Sequence, residues 1–203
     1  MKVPSLVLFD MDDVLCRYDR PARIAYLARL AGSTPEAIYA AIWGSGFEDR
    51  ADDGTLDTDA YLRGYGERIG YRLTLDDWVE ARRVATIPCP EILELVRQVR
   101  KRARIAVLTN NPILIADQIG RIFPELPPLF ADAVFASAQF RVAKPDPECF
   151  RRCVAVLGEA PGDTLFIDDR AEHVEGARRA GLLGYHHTST PALAEALREF
   201  GLL

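Results

Sequence analysis

The pattern that most limits the fold is a repeated one: a short apolar run, a knot of polar side chains, then a helical stripe. Residues 3–9 form such a run and end in Asp10, Asp12 and Asp13. Residues 105–108 end in Thr109-Asn110-Asn111, and residues 165–167 end in Asp168-Asp169. Residues 133–136 are a further run, followed after a short loop by Lys144-Pro145, and 184–187 are a weaker fifth. Between them, stripes such as Ile92, Leu95, Val96 and Val99 keep the i, i+3, i+4, i+7 spacing of an amphipathic helix. Thr34-Pro35, Asn111-Pro112, Asp146-Pro147 and Thr190-Pro191 each place a capping side chain before a proline, which predicts helix starts. Strand–helix alternation of this kind predicts an α/β fold: a Rossmann-like parallel sheet with helices on both faces. Ligands of such sheets bind beyond the carboxyl ends of the strands, where the polar knots fall.

Residues 16–88 break the rhythm. They contain no convincing strand and four helical patterns, at 22–31, 35–43, 57–69 and 75–85. This predicts an all-helical domain, 16–88, inserted into an α/β core made of 1–15 and 89–203.

Bulk properties narrow the function. A net charge of −5 with no basic tail argues against nucleic acid. Residues 3–9 are too short to span a membrane, and no cleavage signal follows them, so a cytoplasmic protein is expected. Cys16, Cys89, Cys149 and Cys153 form no CxxC pair and read as reduced, packed thiols. A cysteine phosphatase is excluded, because the residues six positions after them are Ala22, Leu95, Ala155 and Glu159, and none is arginine. Of 25 basic residues only Lys2, Lys101 and Lys144 are lysine, so a lysine at a strand-end cluster is informative.

Three acids on the end of a buried strand are costly by themselves. Two carboxylates 4 Å apart repel by about 4 kcal/mol at an effective dielectric of about 20. The order DxD, Thr-Asn, Lys-Pro-Asp-Pro, Phe-Ile-Asp-Asp resembles the four motifs of the haloacid dehalogenase-like hydrolase superfamily. The helical insert sits where that family carries its cap. In detail the chain looks like the branch with sugar-1-phosphate phosphatases and the phosphatase domain of epoxide hydrolase.

The resemblance implies a Mg²⁺-dependent phosphohydrolase of small phosphorylated, sugar-phosphate-like metabolites. It makes Asp10 the nucleophile, forming an aspartyl phosphate, and Asp12 the general acid and base. Thr109, the Asn110 backbone and Lys144 would hold the phosphoryl group. Asp10, the Asp12 carbonyl and Asp169 would hold Mg²⁺, with Asp168 acting directly or through water. The cap reads the organic part of the substrate in this family, which offers Phe47, Glu48 and Arg50 around the loop 44–48 as substrate contacts, or a plain helix–helix turn. Arg17, Arg20, Arg23 and Arg50 would grip a second anionic group or face solvent.

Two positions depart from the family pattern. Asp13 stands where Gly is common, with metal binding, steadying of the chain and plain solvation all open. His173 stands where Asn is common, either orienting an acid or simply a packed or surface histidine. A phosphomutase of the same superfamily shares the core residues. Haloacid dehalogenation is disfavoured by Asp12 and the Asp168-Asp169 pair. Phosphonoacetaldehyde hydrolysis needs a cap lysine, and none lies between Lys2 and Lys101. A receiver-like phosphorylation switch is disfavoured by motif order, and a non-catalytic phosphate-binding protein by the intact motif residues.

Overall fold

The computed structural model describes residues 3–203. In chain order the elements are β1 (Leu6–Phe9), β2 (Cys16–Tyr18), α1 (Arg20–Ala31), α2 (Pro35–Ile42), α3 (Phe47–Asp52), α4 (Thr58–Ile69), α5 (Leu75–Arg83), β3 (Thr86–Pro88), α6 (Pro90–Val99) and β4 (Arg104–Thr109). There follow α7 (Ile113–Asp117), α8 (Ile119–Ile122), α9 (Pro127–Phe130), β5 (Val134–Ala136), α10 (Pro147–Val156), β6 (Thr164–Asp168), α11 (Ala171–Arg179), β7 (Leu183–His186) and α12 (Thr190–Glu199).

Five strands make one parallel sheet in the order β5-β4-β1-β6-β7. The strands alternate faces, as a period of two requires. Val7, Phe9, Val107 and Ile167 enter one apolar cluster, while Leu6, Leu8, Leu108 and Phe166 enter the other with residues of α10 and α11. All four β1 side chains are at most 1% exposed. Full burial of a Leu or Phe contributes about 1.5–3 kcal/mol, so the central strand is a rigid post for whatever follows it. No helix is long and apolar enough to cross a membrane among the described residues.

The insert between β1 and α6 is helical but not wholly so. β2 and β3 pair antiparallel, Cys16 opposite Pro88 and Tyr18 opposite Thr86, and tie the insert's two ends together. Each is three residues long, too short for a periodic signal, which is why the expectation of no strand in this block fails. α3 likewise begins inside the stretch read as a loop.

Three local expectations are corrected. β1 starts at Leu6, because Ser5 turns to donate its N–H to the Asp163 carbonyl (2.9 Å). Asn111 does not cap α7; Pro112 occupies that position without a side-chain bond. α12 is capped by Ser189, whose Oγ accepts from Ala192 N, and Thr190 is its first residue. Thr34 and Asp146 cap α2 and α10 as the sequence suggests.

The insert is seated on the core at a close approach. Ser137 Oγ donates to the Asp52 carbonyl (2.6 Å) and accepts from Asn111 N (3.3 Å). Gly54 sits beside it with φ +72°; a Cβ there would lie 2.5 Å from the Ala138 carbonyl oxygen. Only glycine satisfies both the left-handed backbone and that contact.

Candidate active site

The carboxyl ends of β1, β4 and β6 converge on a cavity of about 250 Å³ roofed by the insert. Its core wall contains Asp10, Asp12, Thr109, Asn110 and Asp169. Chain order therefore scatters these residues, and sheet order β4-β1-β6 gathers them.

Asp10 closes the β1–β6 ladder, donating its N–H to the Ile167 carbonyl (2.9 Å). The extended backbone stops there. Met11 N donates back to Asp10 Oδ1 (2.8 Å), and the fully buried Met11 side chain anchors the turn. Asp10 and Asp12 thus share the cavity through a turn rather than through strand alternation.

Asp12 has an unforeseen partner. Arg82, at the end of α5 in the insert, is 1% exposed, and its Nη2 lies 3.1 and 3.0 Å from Asp12 Oδ1 and Oδ2. Its guanidinium also lies 4.5 Å from the Tyr18 ring centroid. Asn111 Nδ2 donates to Asp12 Oδ2 at 3.4 Å. Arg82 carries no motif signal in the sequence; it is one of many arginines, and only the packing of α5 singles it out.

Lys144 is 3% exposed, and its ammonium donates to the Leu108 carbonyl (3.1 Å) and Asp168 Oδ2 (2.7 Å) while pairing with Asp10 Oδ1 (2.9 Å). Burial alone would lower its pKa, but Asp10 and then Asp168 hold it above the usual lysine range. Asn110 grips the same residue from outside. Its Nδ2 donates to the Lys144 carbonyl (2.8 Å), and its Oδ1 accepts from Lys144 N (2.9 Å). The Asn110 side chain is therefore spent on Lys144.

Asp168 is fully buried, and His173 Nδ1 lies 3.0 Å from Asp168 Oδ2. Burial would raise this acid, but Lys144 and His173 outweigh it and hold Asp168 well below the carboxylate range. Asp10, Asp168 and His173 form the one metal-like cluster among the described residues. The Lys144 ammonium already lies between its two acids, so that cluster has its cation. His173 is buried rather than at the surface, with its Nδ1 against the Asp168 carboxylate.

Asp10 and Asp169 differ. Burial pushes Asp10 well above the carboxylate range, with Lys144 opposing. Burial, then the charges of Asp168 and Asp13, push Asp169 up to about 6. Both line the cavity; one ammonium on Asp10 does not offset its burial and neighbouring acids, and Asp169 has no cation within 4 Å among the described residues. Carboxylate oxygens with charge left to balance fit a hard divalent ion such as Mg²⁺.

Asp13 has φ +60°, a backbone that explains why glycine suits this position. Its Oδ1 accepts from Tyr18 N (3.0 Å), so it fastens the chain at the end of β2. Thr109 Oγ1 accepts from Asn111 Nδ2 (2.8 Å), which leaves its own O–H to donate elsewhere.

Of the substrate contacts expected from the insert, Glu48 lines the cavity. Phe47 does not: it is 3% exposed and stacks on Tyr61 at 5.6 Å within the insert's core. Arg50 is exposed and absent from the lining. Tyr18, Trp43, Asp49 and Asp52 line it instead.

Residues 4–181 match the model of the haloacid dehalogenase-like hydrolase family, and the chain belongs to that family of hydrolases. It is 30% identical over 189 residues to Phosphatase MT3486 of Mycobacterium tuberculosis, covering 89% of this chain and 86% of that protein. It is 22% identical to the D-ribitol-5-phosphate phosphatase of Bacteroides thetaiotaomicron, covering 86% and 87%. Its fold matches the family enzyme bt-2542 of Bacteroides thetaiotaomicron, crystallised with magnesium and inorganic phosphate. That match has TM-score 0.76 at 20% identity, over 91% of this chain and 94% of that one.

Proposed function

We propose that this chain is a Mg²⁺-dependent phosphohydrolase of small phosphorylated metabolites, with 16–88 as a cap domain on a 1–15 and 89–203 core. The observation that carries it is Asp10 and Asp12 facing one cavity, with the Lys144 ammonium 2.9 Å from Asp10. The names of the relatives, a phosphatase and a polyol-phosphate phosphatase, support the same chemistry.

Asp10 attacks phosphorus with one carboxylate oxygen as the bond to the leaving alcohol oxygen breaks. Asp12 gives that oxygen a proton, then takes one from the water that attacks phosphorus and frees Asp10. Thr109 donates its hydroxyl proton to a phosphoryl oxygen, beside the Asn110 N–H. Lys144 sets its positive charge beside the phosphoryl oxygens, where negative charge develops. Asp10, the Asp12 carbonyl and Asp169 would hold Mg²⁺; Asp168, tied to Lys144 and His173, acts by positioning. When bound, the ion supplies positive charge that lets a carboxylate approach a phosphate dianion. Asp12 has no task in dehalogenation, which favours the phosphate chemistry.

The test is hydrolysis of an aryl phosphate with and without Mg²⁺. Metal-dependent turnover is expected. No turnover of any phosphoester with metal present would refute the reading.

A further inference from the structure

Thr109 ends β4, and Asn110 and Asn111 follow it in one run with different partners. Thr109 lines the cavity, while the Asn110 side chain is taken up by the Lys144 backbone. Asn111 has no task in the proposed phosphoryl transfer. It is nevertheless 6% exposed and lines the same cavity.

Asn111 is fixed at its backbone and at its side chain. Pro112 disfavours a helical backbone at Asn111, and the Asn111 N–H donates to Ser137 Oγ (3.3 Å). The side-chain Nδ2 makes two contacts, 2.8 Å to Thr109 Oγ1 and 3.4 Å to Asp12 Oδ2. An amide nitrogen carries two hydrogens, so it serves both. The Asp12 contact is long, yet it decides which way round the amide stands. Turned over, the amide would set its carbonyl oxygen against a carboxylate with no hydrogen between them.

The sense of the amide has a consequence for Thr109. A hydroxyl beside an amide carbonyl donates to it, and a hydroxyl beside an amide N–H accepts from it. Facing Nδ2, Thr109 Oγ1 accepts, so its own proton is not spent on Asn111. Thr109 is buried, and its hydroxyl makes no other hydrogen bond among the described residues.

We infer that Asn111 is a positioning residue for phosphate binding: its amide holds Thr109 Oγ1 as an acceptor and so keeps the hydroxyl proton for a phosphoryl oxygen. The inference rests on the phosphohydrolase reading and deepens it. Two successive amides then divide the work. Asn110 places the Lys144 cation, and Asn111 sets the direction in which the Thr109 hydroxyl donates.

The experiment is a double-mutant cycle on binding of orthovanadate, a phosphate analogue, measured by calorimetry with Mg²⁺. It compares wild type, Asn111→Ala, Thr109→Val and the double variant. Asn111→Ala is expected to raise Kd about fivefold, the scale of one hydrogen bond. In the Thr109→Val background no hydroxyl proton remains to direct, so the same change should raise Kd by less than about twofold. If the alanine variant does not fold, Asn111→Leu, which has the branched shape of asparagine without its N–H, carries the same cycle. An unchanged Kd on removing the amide, or an equal loss in both backgrounds, would overturn the inference while wild-type aryl phosphate turnover continued. Absence of that turnover in the wild type would instead overturn the phosphohydrolase reading, and this inference with it.

Discussion

Arg82, from the last turn of α5, holds both carboxylate oxygens of Asp12 through a single nitrogen at 3.1 and 3.0 Å. The bond spans 70 residues of sequence and crosses from the insert to the core. The insert is thereby tied to the group proposed to move the proton. The bonds that Asp12 accepts from Cys16 Sγ and Asn111 Nδ2 are longer, at 3.7 and 3.4 Å, so Arg82 sets the carboxylate's orientation.

Arg82→Met keeps volume and removes the charge. It should lower kcat on an aryl phosphate by about tenfold or more, the scale of a misplaced acid–base group. It should also cost about 2–3 kcal/mol of stability, because Asp12 loses its buried partner and Tyr18 its cation contact. Arg82→Lys should recover part of the stability and little of the rate, since a shorter, compact ammonium cannot both lie over the Tyr18 ring as the planar guanidinium does and reach Asp12. Urea unfolding and steady-state kinetics check the two effects separately.

Asn110 makes two hydrogen bonds to the Lys144 backbone, at 2.8 and 2.9 Å. Asn110→Ala strands a partly buried N–H and C=O and should cost about 2–3 kcal/mol. It should also reduce kcat, because the Lys144 ammonium loses its fixed position beside Asp10. An unchanged urea midpoint would show that this pairing does not hold Lys144.

Asp13 is predicted to be structural. Asp13→Gly keeps the φ of +60° and loses only the bond to Tyr18 N, so it should cost at most about 1 kcal/mol. Asp13→Val puts a β-branched residue into the left-handed region and should cost about 2 kcal/mol or more. Chemical denaturation of the two variants side by side decides it.

Asp169 gives a pH signature. Its native pKa of about 6 lies above the unfolded value, so between about pH 4 and 6 the native state holds the extra proton. The metal-free protein therefore gains stability from this group as pH falls through 6 toward 4, and loses that gain as pH rises through 6. Mg²⁺ requires the carboxylate, so added Mg²⁺ should raise the unfolding temperature more at pH 7.5 than at pH 5. Equal shifts at both pH values would remove Asp169 from the proposed metal site.

The sheet and the motif residues were legible because their signals are local. Leu6–Phe9 reads as a buried strand on its own, and Asp10, Thr109, Lys144 and Asp168 each follow an apolar run. The insert's contributions were not legible. Arg82 and Asp52 owe their places to how α5 and α3 pack against the core, and neither carries a spacing that marks it. β2 and β3 are three residues each and are held by one another, not by propensity. Phe47 shows the converse: a glycine-flanked aromatic suggested a ligand contact, and the insert's own core took it through Tyr61 and Tyr65.

The central claim is that Asp10 becomes phosphorylated in each turnover. Rapid acid quench of the wild-type protein mixed with Mg²⁺ and an aryl phosphate, followed by peptide mass spectrometry, measures it directly. The account predicts a phosphoryl group on the peptide bearing Asp10, and neither adduct nor turnover in Asp10→Asn. Turnover by Asp10→Asn at the wild-type rate, or a phosphoryl group found on another residue, would contradict it.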